Sequence, residues 1–229
     1  MSRALRISHL VSVGLLGALP ALAQTPSPAP TLATTPAASA APRRPMSPPG
    51  TVATQVGGSW AKDAQGEMRY SGGKWIEVTY SRPILRGREN IFGQGAEYGK
   101  AVTGDAPLWR VGANQTTRLK TEAPLEIAGK RLAPGEYSLH VDLKAAGWTL
   151  VVSSQPHQMK YDPSDKTGTW GSYNYDAKFD VVRAPLKMMK PAVSVDQFTI
   201  AFVDMSDKGG KLAMAWGRDA GVVDFKVAP

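Results

Sequence analysis

Short alternating segments constrain the fold of this chain more than any other feature of its sequence. The clearest segment, 74–81, directs two sets of side chains to opposite faces of an extended strand: Trp75, Glu77 and Thr79, and Ile76, Val78 and Tyr80. Similar segments are found at 52–56, 116–121, 136–143, 148–153, 179–184, 198–203, 212–216 and 222–227. Turn-forming residues separate them, as at Gly72-Gly73, Pro134-Gly135 and Gly209-Gly210. The pattern predicts an all-β fold with little helix, either an antiparallel β-sandwich or a barrel-like sandwich with short turns.

The N-terminal region has the three-part layout of a secretory signal peptide. Arg3 and Arg6 precede the apolar stretch Leu10–Leu22, and Ala21-Leu22-Ala23 places small residues before a predicted cleavage at Gln24. The alternative is a membrane anchor, but the apolar run has about 13 residues and a span needs about 20. We therefore predict a signal peptide at 1–23 and a periplasmic or secreted protein of the cell envelope, with no transmembrane segment in the mature chain.

Composition divides the rest of the chain into two parts. Residues 24–45 are almost entirely Pro, Ala, Thr and Ser, which bury too little apolar surface to fold, so this part is predicted to be a disordered linker. Residues 46–229 are enough for one core and are predicted to form a single β-sandwich domain. Two polar, turn-rich stretches within it, 59–73 and 157–169, are expected to form protruding loops or a hairpin arm.

Charge and cysteine content exclude several classes of function. Loss of Arg3 and Arg6 with the leader would lower the formal net charge from +8 to +6, and the basic residues are interspersed with acids. This distribution is typical of a soluble basic surface and, together with export, disfavours nucleic acid as a partner. The chain has no cysteine and only His140 and His157 after the leader, so we predict no cofactor and no metal site. Asp162 and Asp165 are predicted to form ordinary Asx-type turns.

Ser138, His140 and Asp142 alternate along one predicted strand and would share one face. They contain the residue types of a hydrolytic triad, but the sequence has no Gly-x-Ser-x-Gly turn to present a nucleophile. A polar, solvent-facing side of the strand is the favoured interpretation. Gly93, Gly95 and Gly99 lack the spacing of a dinucleotide-binding loop.

Two groups of residues are retained as ligand-binding candidates. The first is rich in guanidinium groups, which bind carboxylates in a bidentate manner, and can be an anion site or an internal ion-pair network: Arg82, Arg86, Arg88, Tyr98, Trp109, Arg110 and Asn114. We expect Arg82, Arg86, Arg110, Asn114 and Tyr98 to meet, with Glu77, Glu89 or Asp180 as acid partners if the network is structural. The second group can be a sugar-stacking surface, although core packing or cross-strand pairing is favoured: Trp170, Tyr173 and Tyr175.

The order of several motifs resembles the bacterial family known as domain of unknown function 2911. The matching segments are 47–50, 78–83, 86–88, 91–93, 98–100, 109–114, 116–117, 132–139, 170–176 and 180–183. The resemblance implies an exported β-rich protein of the bacterial envelope and supplies no catalytic residues. The sequence departs from the family pattern by extra residues near 59–73, at 103–108 and within 155–169.

Two functions remain open from the sequence. One is a non-catalytic binding or structural module, whose partner would be an anionic small molecule or a glycan. The other is a hydrolase or lyase that acts on an envelope polymer through Asp or Glu side chains, which requires two carboxyl groups at a defined separation. Neither possibility fixes the oligomeric state.

Overall fold

A computed structural model describes residues 46–229. The predicted signal peptide and linker therefore lie outside the described residues. The chain forms the following strands and one short helix, in order: β1 (Pro49–Val56), β2 (Ser59–Lys62), β3 (Met68–Ser71), β4 (Lys74–Ser81), α1 (Lys100–Thr103), β5 (Thr117–Thr121), β6 (Leu125–Ile127), β7 (Lys130–Leu132), β8 (Gly135–Lys144), β9 (Gly147–Ser153), β10 (Asp180–Pro185), β11 (Lys187–Met189), β12 (Val195–Ser206), β13 (Gly209–Gly217) and β14 (Asp219–Val227). Two single 3₁₀ turns lie at Gly95–Glu97 and Ala177–Phe179.

The strands form two antiparallel sheets and a hairpin. The first sheet has the order β1-β4-β5-β8-β9-β10, and the second has the order β12-β13-β14-β6-β7, with β11 paired to β14. The β2–β3 hairpin stands apart from both sheets, and its Tyr70 hydroxyl donates a hydrogen bond of 2.8 Å to Asp207. This confirms the predicted all-β sandwich with little helix.

The core lies between the inner faces of the two sheets. Ile76 and Val78 of β4 are at most 1 % exposed, as the alternation in that segment predicts. Its centre is a group of rings in mutual contact: Phe92, Trp109, Trp148, Phe198 and Trp216. Trp109 belongs to the long connection between β4 and β5, and its backbone exchanges two hydrogen bonds of 2.9 Å with Val141 of β8. That connection therefore pairs with β8 and contributes a ring to the core.

Each of the nine segments with predicted strand alternation overlaps an observed strand. The stretch 59–73, expected as a loop or a hairpin arm, contains the β2–β3 hairpin. The pattern did not predict β6, β7 and β11, because three residues are too few to show a period of two. Within residues 46–229, no helix is long and apolar enough to cross a membrane.

Candidate functional site

The outer face of the first sheet is divided into two halves by one segment of the chain. Residues 154–179, which connect β9 to β10 and which we call the roof, cover the outer side of β8 and β9. The roof is joined to the strands beneath it by hydrogen bonds, including one of 3.2 Å from the Ser138 hydroxyl to the Gln155 carbonyl. The outer face of β1, β4 and the end of β5 carries no such cover, and we call it the open half.

Polar side chains hold the roof together. The Gln155 side-chain amide donates to the carbonyls of Thr167 and Asn174, and its oxygen accepts from the backbone N–H of Asp176. Asp162 and Asp165 each accept a backbone N–H from two residues further along, at 2.8 Å, which confirms the predicted Asx turns. The roof is therefore a hydrogen-bonded structure with its own polar interior.

His140 is completely buried beneath the roof. Its Nδ1 lies 2.9 Å from the Ser172 hydroxyl, and its ring packs edge-on against Tyr175 with centroids 5.3 Å apart. Its Nε2 has no hydrogen-bond partner among the described residues. Burial and the nearby Arg110 guanidinium lower the pKa of His140 to about 4, so the imidazole is neutral near neutral pH.

The prediction that Ser138, His140 and Asp142 face solvent is wrong for the first two residues. Ser138 and His140 are 0 % exposed because the roof lies over them. Asp142 is partly exposed and is paired with Arg183 at 3.0 Å. Ser172 is also fully buried, so its contact with His140 cannot serve as a nucleophile–base pair for a ligand that arrives from solvent.

The edge of the roofed half is an ion-pair network. Arg183 donates to Asp180 at 2.8 Å and to Asp142 at 3.0 Å. The Tyr175 hydroxyl is 2.7 Å from the Asp180 carboxylate, and burial together with this carboxylate raises the pKa of Tyr175. Asp180 thus joins the roof to β10, and Asp142 joins β8 to β10 through Arg183.

The open half presents an aromatic ring among charged groups. Trp75 is 50 % exposed, and its backbone N–H donates a hydrogen bond of 2.8 Å to the Glu122 carboxylate. Glu77 pairs with Lys120 in the register of β4 and β5 and lies on the same outer face. These four residues and Ala53 line a shallow depression of about 380 Å³.

The two halves meet at Arg118. Its guanidinium is 3.2 Å from Glu136 and 3.3 Å from His157 of the roof. Burial and Arg118 lower the pKa of His157, while Glu136 acts in the opposite direction. Arg118 also lines a second, smaller depression between β1 and β5, so it borders the open half.

The arginines proposed from the sequence have separate partners. Arg82 lies within 3.4 Å of the Phe198 carbonyl, and Arg88 donates to the Leu85 carbonyl at 2.9 Å. Arg110 donates to the Asn114 carbonyl at 2.9 Å, a contact within one of the three segments that were expected to meet. Arg86 is exposed in a turn with a positive φ.

The expected internal ion-pair network is not observed. The ion pairs of residues 46–229 that contain arginine use only Arg69, Arg118 and Arg183. Arg82 and Arg110 donate to different carbonyls, those of Phe198 and Asn114, and the expected acid partner Asp180 binds Arg183 instead. These arginines donate to backbone carbonyls instead: Arg88 and Arg110 reach carbonyls three or four residues away, and Arg82 reaches the Phe198 carbonyl of β12.

The aromatic candidates also lie in different surroundings. Trp109 is 1 % exposed in the core, and Tyr98 accepts a hydrogen bond of 2.7 Å from the Trp148 indole. Trp170 packs against Tyr161 at a centroid distance of 6.0 Å. Tyr173 is exposed beneath the Arg110 guanidinium at 5.6 Å from its ring centre, whereas Tyr175 packs on His140. The three rings of the 170–176 segment thus each contact a different neighbour.

Sequence reasoning missed the open half as a candidate site. The signal was present in β4, where Trp75 occupies the polar side of an alternating strand. A large ring on that side has no place in the core and must lie on the surface or under another segment. The described structure decides between these alternatives: no segment of residues 46–229 covers Trp75, which is 50 % exposed.

These features define an antiparallel β-sandwich with one roofed and one open half on a single sheet. The model of the family described as "Protein of unknown function (DUF2911)" matches residues 62–225, and the chain belongs to this family. This confirms the resemblance seen in the sequence motifs. No curated protein and no solved structure matches the chain.

Proposed function

We propose that this protein is an exported, non-catalytic binding module of the cell envelope and that its open half binds a glycan. The observation that carries this proposal is the half-exposed Trp75 ring among Glu77, Lys120 and Glu122. The leader-like segment 1–23 supports export to the periplasm or the medium.

The chemistry of the open half fits a sugar ring. The apolar C–H face of a pyranose can pack on an indole, which offers a large rigid surface at low entropic cost. Its hydroxyl groups can donate to Glu77 and Glu122 and accept from Lys120. The depression is shallow, and the same strands β1, β4 and β5 carry the second depression that Arg118 lines, so the surface suits one side of a chain of sugars better than an enclosed small molecule.

The enzymatic alternative has one observation in its favour, because Glu77 and Glu122 line the same depression. A carboxylate-dependent hydrolase or lyase would use these two groups as acid and base. The binding function is preferred because Glu122 already accepts the Trp75 backbone N–H and Lys120 lies beside Glu77. Release of shortened or unsaturated products from a bound glycan, lost in Glu77→Gln, would support the enzyme instead.

The binding proposal is tested by titrating a panel of bacterial envelope glycans into the purified protein by calorimetry. We expect at least one to bind and Trp75→Ala to weaken it by about tenfold or more, as for loss of a well-packed aromatic anchor. Trp60→Ala is the matched control, because Trp60 is 62 % exposed on the separate β2–β3 hairpin. Equal losses in both variants, or no binding by the panel, would contradict the proposal.

Export is tested separately by mass spectrometry of the protein recovered outside the cytoplasm. The expected mature chain begins at Gln24, because Ala21-Leu22-Ala23 precedes it. Recovery of a chain that retains Met1 in the membrane fraction would contradict this prediction.

A further inference from the structure

A second cleft lies at the end of the sandwich, away from the open half. It is formed between the connection that follows β4 and the turn that joins β13 to β14. Its volume is about 360 Å³, within the range of small-molecule sites. The polar groups that line it are Arg88, Glu89, Asn90, Ser194, Arg218 and Asp219.

Arg88 is held rigidly at this cleft. Its Nε donates to the Leu85 carbonyl at 2.9 Å, one Nη donates to the Ile84 carbonyl at 2.7 Å, and its guanidinium lies 5.7 Å from the Trp216 ring centre. Neutral carbonyls and an aromatic face position the group without cancelling its charge. No hydrogen bond in the described part of the chain uses the other Nη, which is left to donate to a ligand.

Arg218 brings a second guanidinium to the same cleft. It follows Gly217 in the two-residue turn between β13 and β14, where Gly217 has a φ of +63°. Arg218 forms no ion pair with the acids of residues 46–229. Two arginines without acid partners therefore face one concave space.

The two acids at the cleft, Glu89 and Asp219, form no ion pair with either arginine within the described residues. The Asp219 carboxylate is paired with Lys190, so it already has a cationic partner outside the cleft. Glu89 is exposed and forms no ion pair within the described residues. Asn90 and Ser194 add uncharged groups that can donate further hydrogen bonds to an anion beside the two guanidinium groups.

We propose that this cleft binds the carboxylate or phosphate group of a small anionic ligand between Arg88 and Arg218. A planar guanidinium donates two parallel N–H groups to a carboxylate or to a phosphate alike, so the same two arginines can recognise either group. This inference is independent of the glycan proposal, because the cleft and the open half share no residue.

The test uses the purified protein with inorganic phosphate and succinate as separate probes, followed by calorimetry and by chemical shifts of the arginine side chains. We expect at least one probe to bind saturably, which identifies the preferred oxyanion. Arg218→Gln should weaken that binding by about tenfold, the loss expected for one charge-assisted contact. Because Arg218 has no described ion pair, the variant should keep the wild-type melting temperature.

Arg86→Gln is the matched control, since Arg86 is exposed nearby and does not line this cleft. It should bind the probe as the wild type does. Arg88→Lys keeps the charge and should still lose affinity, because an ammonium group cannot reproduce the guanidinium fork. Absence of saturable binding by both probes, or equal losses in Arg86→Gln and Arg218→Gln, would overturn the proposal.

Discussion

The roofed and open halves are built on one sheet, and they meet where β5 of the open half pairs with β8 of the roofed half. In the roofed half, Ser138 and His140 are completely buried, whereas Trp75 in the open half is half exposed. Both sets lie on the polar side of an alternating strand. Residues 154–179 account for the difference where they contact β8, since they hydrogen-bond to both Ser138 and His140. Polar alternation therefore identifies the outer face of a strand and does not show that this face meets water.

The charged residues of the two halves have different surroundings. Asp180, beneath the roof edge, accepts from Tyr175 and Arg183. Burial of a carboxylate is costly unless such donors replace its water. Glu77 and Lys120 in the open half are neighbours in register and remain accessible to solvent. The roofed half thus uses polar groups for stability, and the open half retains groups that a ligand can contact.

The largest expected effect concerns the buried imidazole. Its pKa in the folded protein is about 4, below the ordinary 6.5, so the unfolded chain takes up the proton first as the pH falls. The contribution of His140 is complete above about pH 6.5 and is lost as the pH falls to about 4, which lowers the free energy of unfolding by about 3 kcal/mol. Urea denaturation at several pH values measures this loss of unfolding free energy.

Carboxylates also titrate between about pH 4 and 6.5. The contribution of His140 is therefore obtained by subtracting the pH dependence of the unfolding free energy of His140→Gln from that of the wild type. The variant should show a flatter dependence of unfolding free energy on pH. His157→Gln is the matched control, because His157 is only partly covered at the roof edge and should leave most of the dependence in place. The same slope in the wild type and His140→Gln would show that the roof does not keep this group neutral.

A smaller effect should distinguish the acids of the two halves. Asp180→Ala leaves Tyr175 and Arg183 without their shared acceptor, and we expect it to lower the unfolding free energy by about 2 kcal/mol. Glu122→Ala in the open half removes one exposed contact, to the Trp75 backbone, and should cost less than about 1 kcal/mol. Chemical denaturation of both variants measures the two losses of unfolding free energy. Equal losses would contradict the proposed distinction between the halves.

Prediction from sequence succeeded where local chemistry decides the structure. Alternation in 74–81 predicted both β4 and the inward direction of Ile76 and Val78. Asp162 and Asp165 form the expected turns because each needs only a backbone N–H two residues ahead. Closely spaced arginines were less informative, because Arg86 and Arg88 point to different surroundings in one short turn.

The sequence by itself determined an antiparallel all-β fold and membership of its family, since strand alternation and turn residues act over a few positions. Only the tertiary structure decided which polar side chains are buried. His140 is enclosed by Ser172 and Tyr175, more than thirty residues away, and Arg88 shares a cleft with Arg218 from another sheet. Such long-range contacts depend on how the sheets pack and on where a long connection folds back. A local pattern of residues predicts neither.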